Sequence, residues 1–306
     1  MSTLELFTGP ESFSRIKSQA RTTIESAFFG NNVVPVSNLK EAYELARVSP
    51  GTVELTGMPV YRPEGQGLPP RSNVLLMNDG AVVGRCAAAR RIVGEPGVNM
   101  GDYAAVLREA VYNSRFRTFY SAEAYIGLEG DFMVKAHLLA PKNHENLVYN
   151  WLLNFAPYEQ LKEQYEASPK LPIQDIILIA FNEWTCDDPF YNNVGAPQLA
   201  LVDEKHNVIV NLGMRYFGER KKGTLTLAWT SGIRIGMAAC HGGIKELDFS
   251  TCDDPKYHAL GKRSIAFYGL SGTGKSSHTN SHDNAGTMPQ GVSKVVLHDD
   301  AFQIDL

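Results

Sequence analysis

The 306-residue chain is poor in cysteine: Cys86, Cys186, Cys240 and Cys252 are its only four, and they are scattered. Such sparse thiols exclude a disulfide framework and fit a reducing compartment. Cys240, His241, Cys252 and His258 match none of the paired spacings of structural zinc sites. There is no long basic run, and 29 basic against 33 acidic residues leave a net charge of -4, which argues against a general nucleic-acid binder. No apolar run approaches the about 20 residues that span a bilayer. The start, Met1-Ser2-Thr3-Leu4-Glu5-Leu6-Phe7, lacks a charged-then-apolar signal pattern. No membrane partner and a cytoplasmic location are therefore expected. Tandem repeats are also missing; Thr-Cys-Asp-Asp-Pro occurs at 185–189 and 251–255, but both copies read as turns.

What the chain does have is apolar content, at 43% hydrophobic residues, enough for a large core in one large or two medium domains. Phe13 to Phe29 can form a helix, and another begins at Asn38 with Glu41 three positions on, a capping-box pattern. Five prolines and four glycines between Ser49 and Pro70 predict an irregular connection there. Asn73–Met77 and Ala81–Val83 flank Asn78-Asp79-Gly80, a hairpin signal that leads into Gly84-Arg85. A helix near Asp102 to Ser114 is followed by strands at Thr118–Tyr125 and Phe132–Leu139, then helical sequence from Glu145 to about Ala167. Asp175–Phe181 is a continuous apolar run suited to a strand covered on both faces. Leu199–Val202 and Val208–Val210 bracket a polar turn, and the period predicts further strands at Thr224–Trp229 and Ile235–Ala239. Functional residues are expected on the glycine-bearing loops after Tyr216.

The sharpest chemical pattern is Gly269-Leu270-Ser271-Gly272-Thr273-Gly274-Lys275-Ser276, which fits G-x-x-x-x-G-K-[ST] at every defined position. The run Arg263–Tyr268 before it reads as a buried strand, so the glycines fall where a strand must turn. They allow backbone N–H groups to converge on one anion, Lys275 can reach terminal phosphates, and Ser276 can offer its hydroxyl to Mg²⁺. The expected ligand is a nucleoside triphosphate. Downstream, the apolar strand Lys294–Leu297 ends in His298-Asp299-Asp300, where a nucleotide enzyme would place a metal-binding carboxylate. A solvated acidic turn fits that spacing equally well.

Two further stretches, Tyr216-Phe217-Gly218-Glu219-Arg220-Lys221-Lys222-Gly223 and Gly236–Gly243, precede the loop. Alone, Lys221-Lys222 reads as a solvated pair and His241 as a satisfied polar residue. Together and in this order, the four segments resemble the ATP-dependent phosphoenolpyruvate carboxykinases. That family's pattern runs Tyr-x-Gly-Glu-x-Lys-Lys-Gly, Met-His-x-Ser-Ala-Asn, Phe-Phe-Gly-Leu-Ser-Gly-Thr-Gly-Lys-Thr and Gly-Asp-Asp-Glu-His. Weaker similarity reaches back to Gly84-Arg85, where the family has Gly-Arg-Ser-Pro-Lys-Asp-Lys.

The resemblance implies an α/β fold: a mixed α+β substrate-side domain over 1–235, then the start of a phosphate-loop nucleotide domain over 236–306. It implies that Lys222, His241 and Asp300 bind Mn²⁺, with Lys222 neutral through a lowered pKa. Ser271 and Lys275 would contact the phosphates of ATP within the loop Gly269, Leu270, Gly272, Thr273 and Gly274. Ser276 would bind Mg²⁺ and Asp299 would support the metals through water. Arg85, Tyr216 and Lys221 would face the acid substrate. The reaction implied is decarboxylation of oxaloacetate and phosphoryl transfer from ATP to give phosphoenolpyruvate. The chain departs from the pattern after Arg85 (Cys86-Ala87-Ala88-Ala89), after His241 (Gly242-Gly243-Ile244) and after Asp300 (Ala301-Phe302). Family members also continue beyond the acidic pair, so the resemblance implies either a fragment or one half of a split enzyme in which a second chain supplies that part. Two other readings stand beside the first: an ATP-dependent kinase for another small carboxylated acceptor, and a non-catalytic nucleotide-binding subunit.

Overall fold

A computed structural model describes residues 19–77, 87–155, 158–193, 196–270, 272–281 and 288–305. The chain forms two compact units, Met1–Ala228 and Trp229–Leu306. The first contains α1 (Gln19–Glu25), β1 (Val33–Pro35), α2 (Leu39–Arg47), β2 (Thr52–Pro59), β3 (Asn73–Met77), β4 (Arg90–Ile92) and α3 (Met100–Ser114). There follow β5 (Phe119–Glu129), β6 (Phe132–Pro141), α4 (Glu145–Asn154), α5 (Tyr158–Ala167) and β7 (Ile176–Phe181). The short β8 (Asn192–Asn193) and β9 (Ala196–Pro197), then β10 (Leu199–Asp203) and β11 (Val208–Leu212), lead into α6 (Phe217–Arg234), within which the division falls.

Seven strands of the first unit make one mixed sheet in the order β1-β5-β6-β7-β11-β10-β4. Strands β6, β7 and β11 run parallel at its centre, and β11 turns antiparallel to β10 through the polar segment that the sequence predicts. The two-residue period sorts the central side chains. Ile177, Ile179, Phe181, Val208, Val210 and Leu212 join Ala20, Ile24, Tyr103, Leu107 and Ala110 of α1 and α3 in one core. On the opposite face of β11, Ile209 meets α6 so closely that a Cβ on Gly223 would lie 2.6 Å from its Cδ1. All six residues of β7 are buried, as its unbroken apolar run requires. The mixed α/β class expected from the sequence is the class observed. Asn38 caps α2 as expected: its side chain accepts the Glu41 N–H at 2.8 Å, and Glu41 answers from Ser37 N–H at 2.7 Å.

Two local expectations are corrected. The Pro- and Gly-rich stretch from Ser49 to Pro70 contains β2, whose Thr52–Leu55 pairs antiparallel with Leu76 and its neighbours in β3. Among the described residues β3 pairs with this upstream strand; the predicted second hairpin strand, with Gly84-Arg85, lies outside the described residues. Thr224–Trp229 is helix within α6, not strand. Its alternation of Thr and Leu imitates a strand, but buried Thr224 returns its hydroxyl to Arg220 O at 2.8 Å and receives Trp151 Nε1–H at 3.0 Å.

The second unit contains β12 (Ala238–Cys240), β13 (Gly242–Asp248), α7 (Pro255–His258), β14 (Lys262–Tyr268), α8 (Lys275–Asn280), β15 (Ser293–His298) and β16 (Phe302–Ile304). Strand β13 sits between β14 and β15, antiparallel to both, and β12 pairs with β16. The strand before the phosphate loop is present, yet it is not buried: Lys262–Ser264 and Tyr268 are exposed and Ile265–Phe267 half-buried. Among the described residues no helix is long and apolar enough to cross a membrane.

Candidate active site

In the first unit the chemistry-bearing residues lie on a helix, correcting the expectation of loops. Tyr216 precedes α6, and Lys221 and Lys222 occupy its second turn, half-buried. The buried pair between them fixes the backbone. Glu219 takes Arg90 Nη2 on both carboxylate oxygens, at 2.9 and 2.8 Å, tying α6 to β4. Arg220 is fully buried and donates to the carbonyls of Met214 and Tyr216 and to Asn182 Oδ1, the last at 3.2 Å. Burial lowers its pKa below the usual arginine value, against the opposing pull of Glu219. One guanidinium thus satisfies the turn that carries β11 into α6. Gly218 has a steric reason: a Cβ there would meet the Tyr216 ring, 2.6 Å from its hydroxyl oxygen.

In the second unit the strand-to-loop turn has the backbone the motif requires. Gly272 and Gly274 take φ of 82° and 87°, and Gly274 caps α8. Thr273 Oγ1 and Lys275 Nζ both donate to Leu270 O, at 2.8 and 2.6 Å, so the loop closes on itself with Lys275 folded across it. Ser276 is exposed on the first turn of α8. The other end of α8 is held by lysines: Lys245 reaches His278 O at 2.6 Å, and Lys294 reaches Asn280 O and Ser281 O at 2.9 and 2.6 Å. Burial, and then Lys294, pull the Lys245 pKa down.

His241 and Asp300 come together beside this loop. His241 lies between β12 and β13, and its carbonyl accepts Gly269 N–H at 3.4 Å. Asp300 lies between β15 and β16 with φ of 97°, a left-handed conformation that costs a non-glycine residue energy and is found at functional turns. Its Oδ1 is 3.4 Å from His241 Nε2, a spacing that two neighbouring ligands of one Mn²⁺ can adopt. Imidazole plus carboxylate is an ordinary donor set for that ion, so these residues fit it. Among the described residues no group of three His, Cys, Asp or Glu side chains gathers as a metal site. The glycines after His241 are closely approached: a Cβ on Gly242 would overlap the backbone Phe267 O, and one on Gly243 would lie 2.9 Å from Asp299 Oδ1.

Arg85 and Ser271 lie outside the described residues. Glu219, Arg220, Asn182 and Asn280 were not singled out from the sequence. A cavity of about 420 Å³ in the first unit was also missed; Glu109, Phe116, Arg117, Asn182, Glu183 and Trp184 are among its lining residues. None of the sequence-derived candidates lines it.

A family model described as phosphoenolpyruvate carboxykinase matches residues 62–290, ending before Asp299 and Asp300. The phosphoenolpyruvate carboxykinase (ATP) of Dictyostelium discoideum is 24% identical over 221 residues, 67% of this chain. The chain spans 36% of that relative's length.

Proposed function

The chain belongs to the ATP-dependent phosphoenolpyruvate carboxykinase family, of which it is a divergent member, and we propose on that premise that it serves the conversion of oxaloacetate and ATP to phosphoenolpyruvate, ADP and CO₂. Loss of CO₂ breaks the bond between the methylene carbon and its carboxylate and leaves the electron pair in an enolate. The enolate oxygen then bonds the γ-phosphorus of ATP as the β–γ bridge breaks, and ADP departs with that electron pair. No covalent bond to the protein is needed.

In the first unit, Arg85 grips a substrate carboxylate, Tyr216 faces the same acid, Lys221 offers its ammonium to the enolate oxygen, and Lys222 is a metal ligand. In the second, the backbone from Gly269 to Gly274 and Ser271 cradle the phosphates, and Lys275 neutralises charge on the transferring group. Mn²⁺ at His241 and Asp300 and Mg²⁺ at Ser276 would supply Lewis-acid neutralisation when bound, with Asp299 supporting them through water. A cytoplasmic location accords with such a small-molecule enzyme.

The observation that carries the proposal is the pairing of His241 with Asp300 next to Gly269, across 59 residues of sequence. The departure after Arg85 favours a second reading, phosphoryl transfer from ATP to another small carboxylated acceptor. The test is incubation of the chain with oxaloacetate, ATP, Mn²⁺ and Mg²⁺, following phosphoenolpyruvate. Product that disappears in Lys221→Ala is expected. ATP binding without product under any metal condition would overturn the carboxykinase proposal.

A further inference from the structure

The turn Asp299-Asp300 and the phosphate-loop helix are 19 residues apart in sequence at their point of contact, and one side chain joins them. Asn280, the last residue of α8, donates from Nδ2 to Ser276 O at 2.9 Å and to Asp299 Oδ2 at 2.9 Å. Asp299 Oδ1 accepts the Asp300 N–H at 3.0 Å, so both oxygens of Asp299 are oriented while each keeps a lone pair for a metal-bound water. The main chain of Asn280 is held as well, because its carbonyl accepts from Lys294 at 2.9 Å. Thr279 is buried against Gly243, whose missing side chain also leaves room for Asp299.

We propose that Asn280 is a positioning residue for the metal-nucleotide site: its amide holds Asp299 beside the turn of α8 that bears Ser276. The inference rests on the assignment of the loop to ATP with Mg²⁺ at Ser276. A neutral donor suits this place. An ammonium would compete with the cation for Asp299, whereas a carboxylate would repel it. The amide orients Asp299 without changing the charge offered to the metal. It also links Asp299 to the carbonyl of the residue that binds Mg²⁺, so a shift of either segment is transmitted to the other.

The test is ATP affinity of the full chain, measured by calorimetry in EDTA and again with Mg²⁺, for the wild type, Asn280→Ala and Asn280→Leu. The second variant, Asn280→Leu, keeps about the size of the exposed side chain and removes its donor without adding a charge, so it stands in if the alanine variant fails to fold. The wild type should gain affinity on adding Mg²⁺. Both variants should lose about 10-fold of that gain while binding metal-free ATP as the wild type does. Equal loss in EDTA and in Mg²⁺ would mean a structural role alone and would overturn the inference. So would an undiminished Mg²⁺ response in both variants, which leaves the ATP assignment intact. A wild type that binds no ATP in either condition would overturn the assignment and the inference together. As the reference, Lys275→Ala should lose affinity in both conditions.

Discussion

Strands β7 and β15 are both six residues long, yet every residue of β7 is buried and five of the six in β15 are exposed. The difference extends to the sites beside them. In the first unit the helix bearing Lys221 and Lys222 lies on a dry, seven-stranded sheet and is fixed by the buried Arg220 and Glu219. In the second, the phosphate loop rides on thin strands and is held by polar links: two lysines at the end of α8, Asn280 on Asp299, and glycines that permit close approach. The first arrangement resists motion through packing, and the second through geometry at a few atoms.

The largest expected effect comes from removing the buried guanidinium. Arg220→Met would leave the carbonyls of Met214 and Tyr216 and the side-chain oxygen of Asn182 without their donor, and Glu219 without the cation that follows it. The expected cost is about 3 kcal/mol, read as a fall in the urea midpoint of the first unit. A loss below about 1 kcal/mol would show that packing, not the guanidinium, holds α6.

Gly242→Ala tests the second unit by overpacking. A Cβ there collides with backbone, the Phe267 carbonyl, and cannot be relieved by a rotamer change. A loss of about 2 kcal/mol in the second unit is expected, again from the urea midpoint. An unchanged midpoint would mean that β13 and β14 can separate freely.

The smallest effect is a pH dependence confined to the first unit. His137 on β6 is buried, 3.3 Å from Glu123 and 3.0 Å from Asp175, with Lys135 also on Glu123 at 2.9 Å. Phe28 packs edge-on against its ring, and Arg21 holds the Asp175 carbonyl. Burial lowers the His137 pKa, but the two carboxylates outweigh it and the net shift is upward. Glu123 is drawn to about 2, chiefly by its hydrogen bond from His137, and burial opposes this. Asp175 is pushed up by burial yet ends lowered, because His137 prevails. The raised imidazolium contributes stability that is fully present below the ordinary histidine pKa of about 6.5 and lost as pH rises through the folded value. The lowered carboxylates contribute above their ordinary values and lose that contribution as pH falls toward about 2 for Glu123. Thermal midpoints should therefore be highest between about pH 4.5 and 6.5, and His137→Gln should flatten the fall on the alkaline side. Parallel profiles for the two proteins would contradict the charge assignment.

Much of the first unit was legible because its signals are local. The apolar run of β7, the turn between β10 and β11 and the Asn38 cap each follow from side chains within a few residues. Segment 224–229 was not, because its strand-like alternation is overridden by a tertiary contact from Trp151, 73 residues away. The strand in 52–59 was hidden by flanking prolines and glycines that mark turns without excluding the pairing between them. At the candidate site, the phosphate loop, Lys221, Lys222 and His241 could be read from ordered motifs. Asn280 and the need for Gly242 could not, since the first depends on how α8 meets the turn after β15 and the second on how β13 meets Phe267 of β14, rather than on any spacing along the chain.

The central proposal is that His241 and Asp300 are the second unit's ligands to Mn²⁺. Titration of Mn²⁺, followed by the paramagnetic resonance of the free ion, addresses it without requiring turnover. His241→Ala should weaken Mn²⁺ binding by about 10-fold or more relative to the wild type, at an unchanged thermal midpoint. Superimposable titrations for the two proteins would contradict the account.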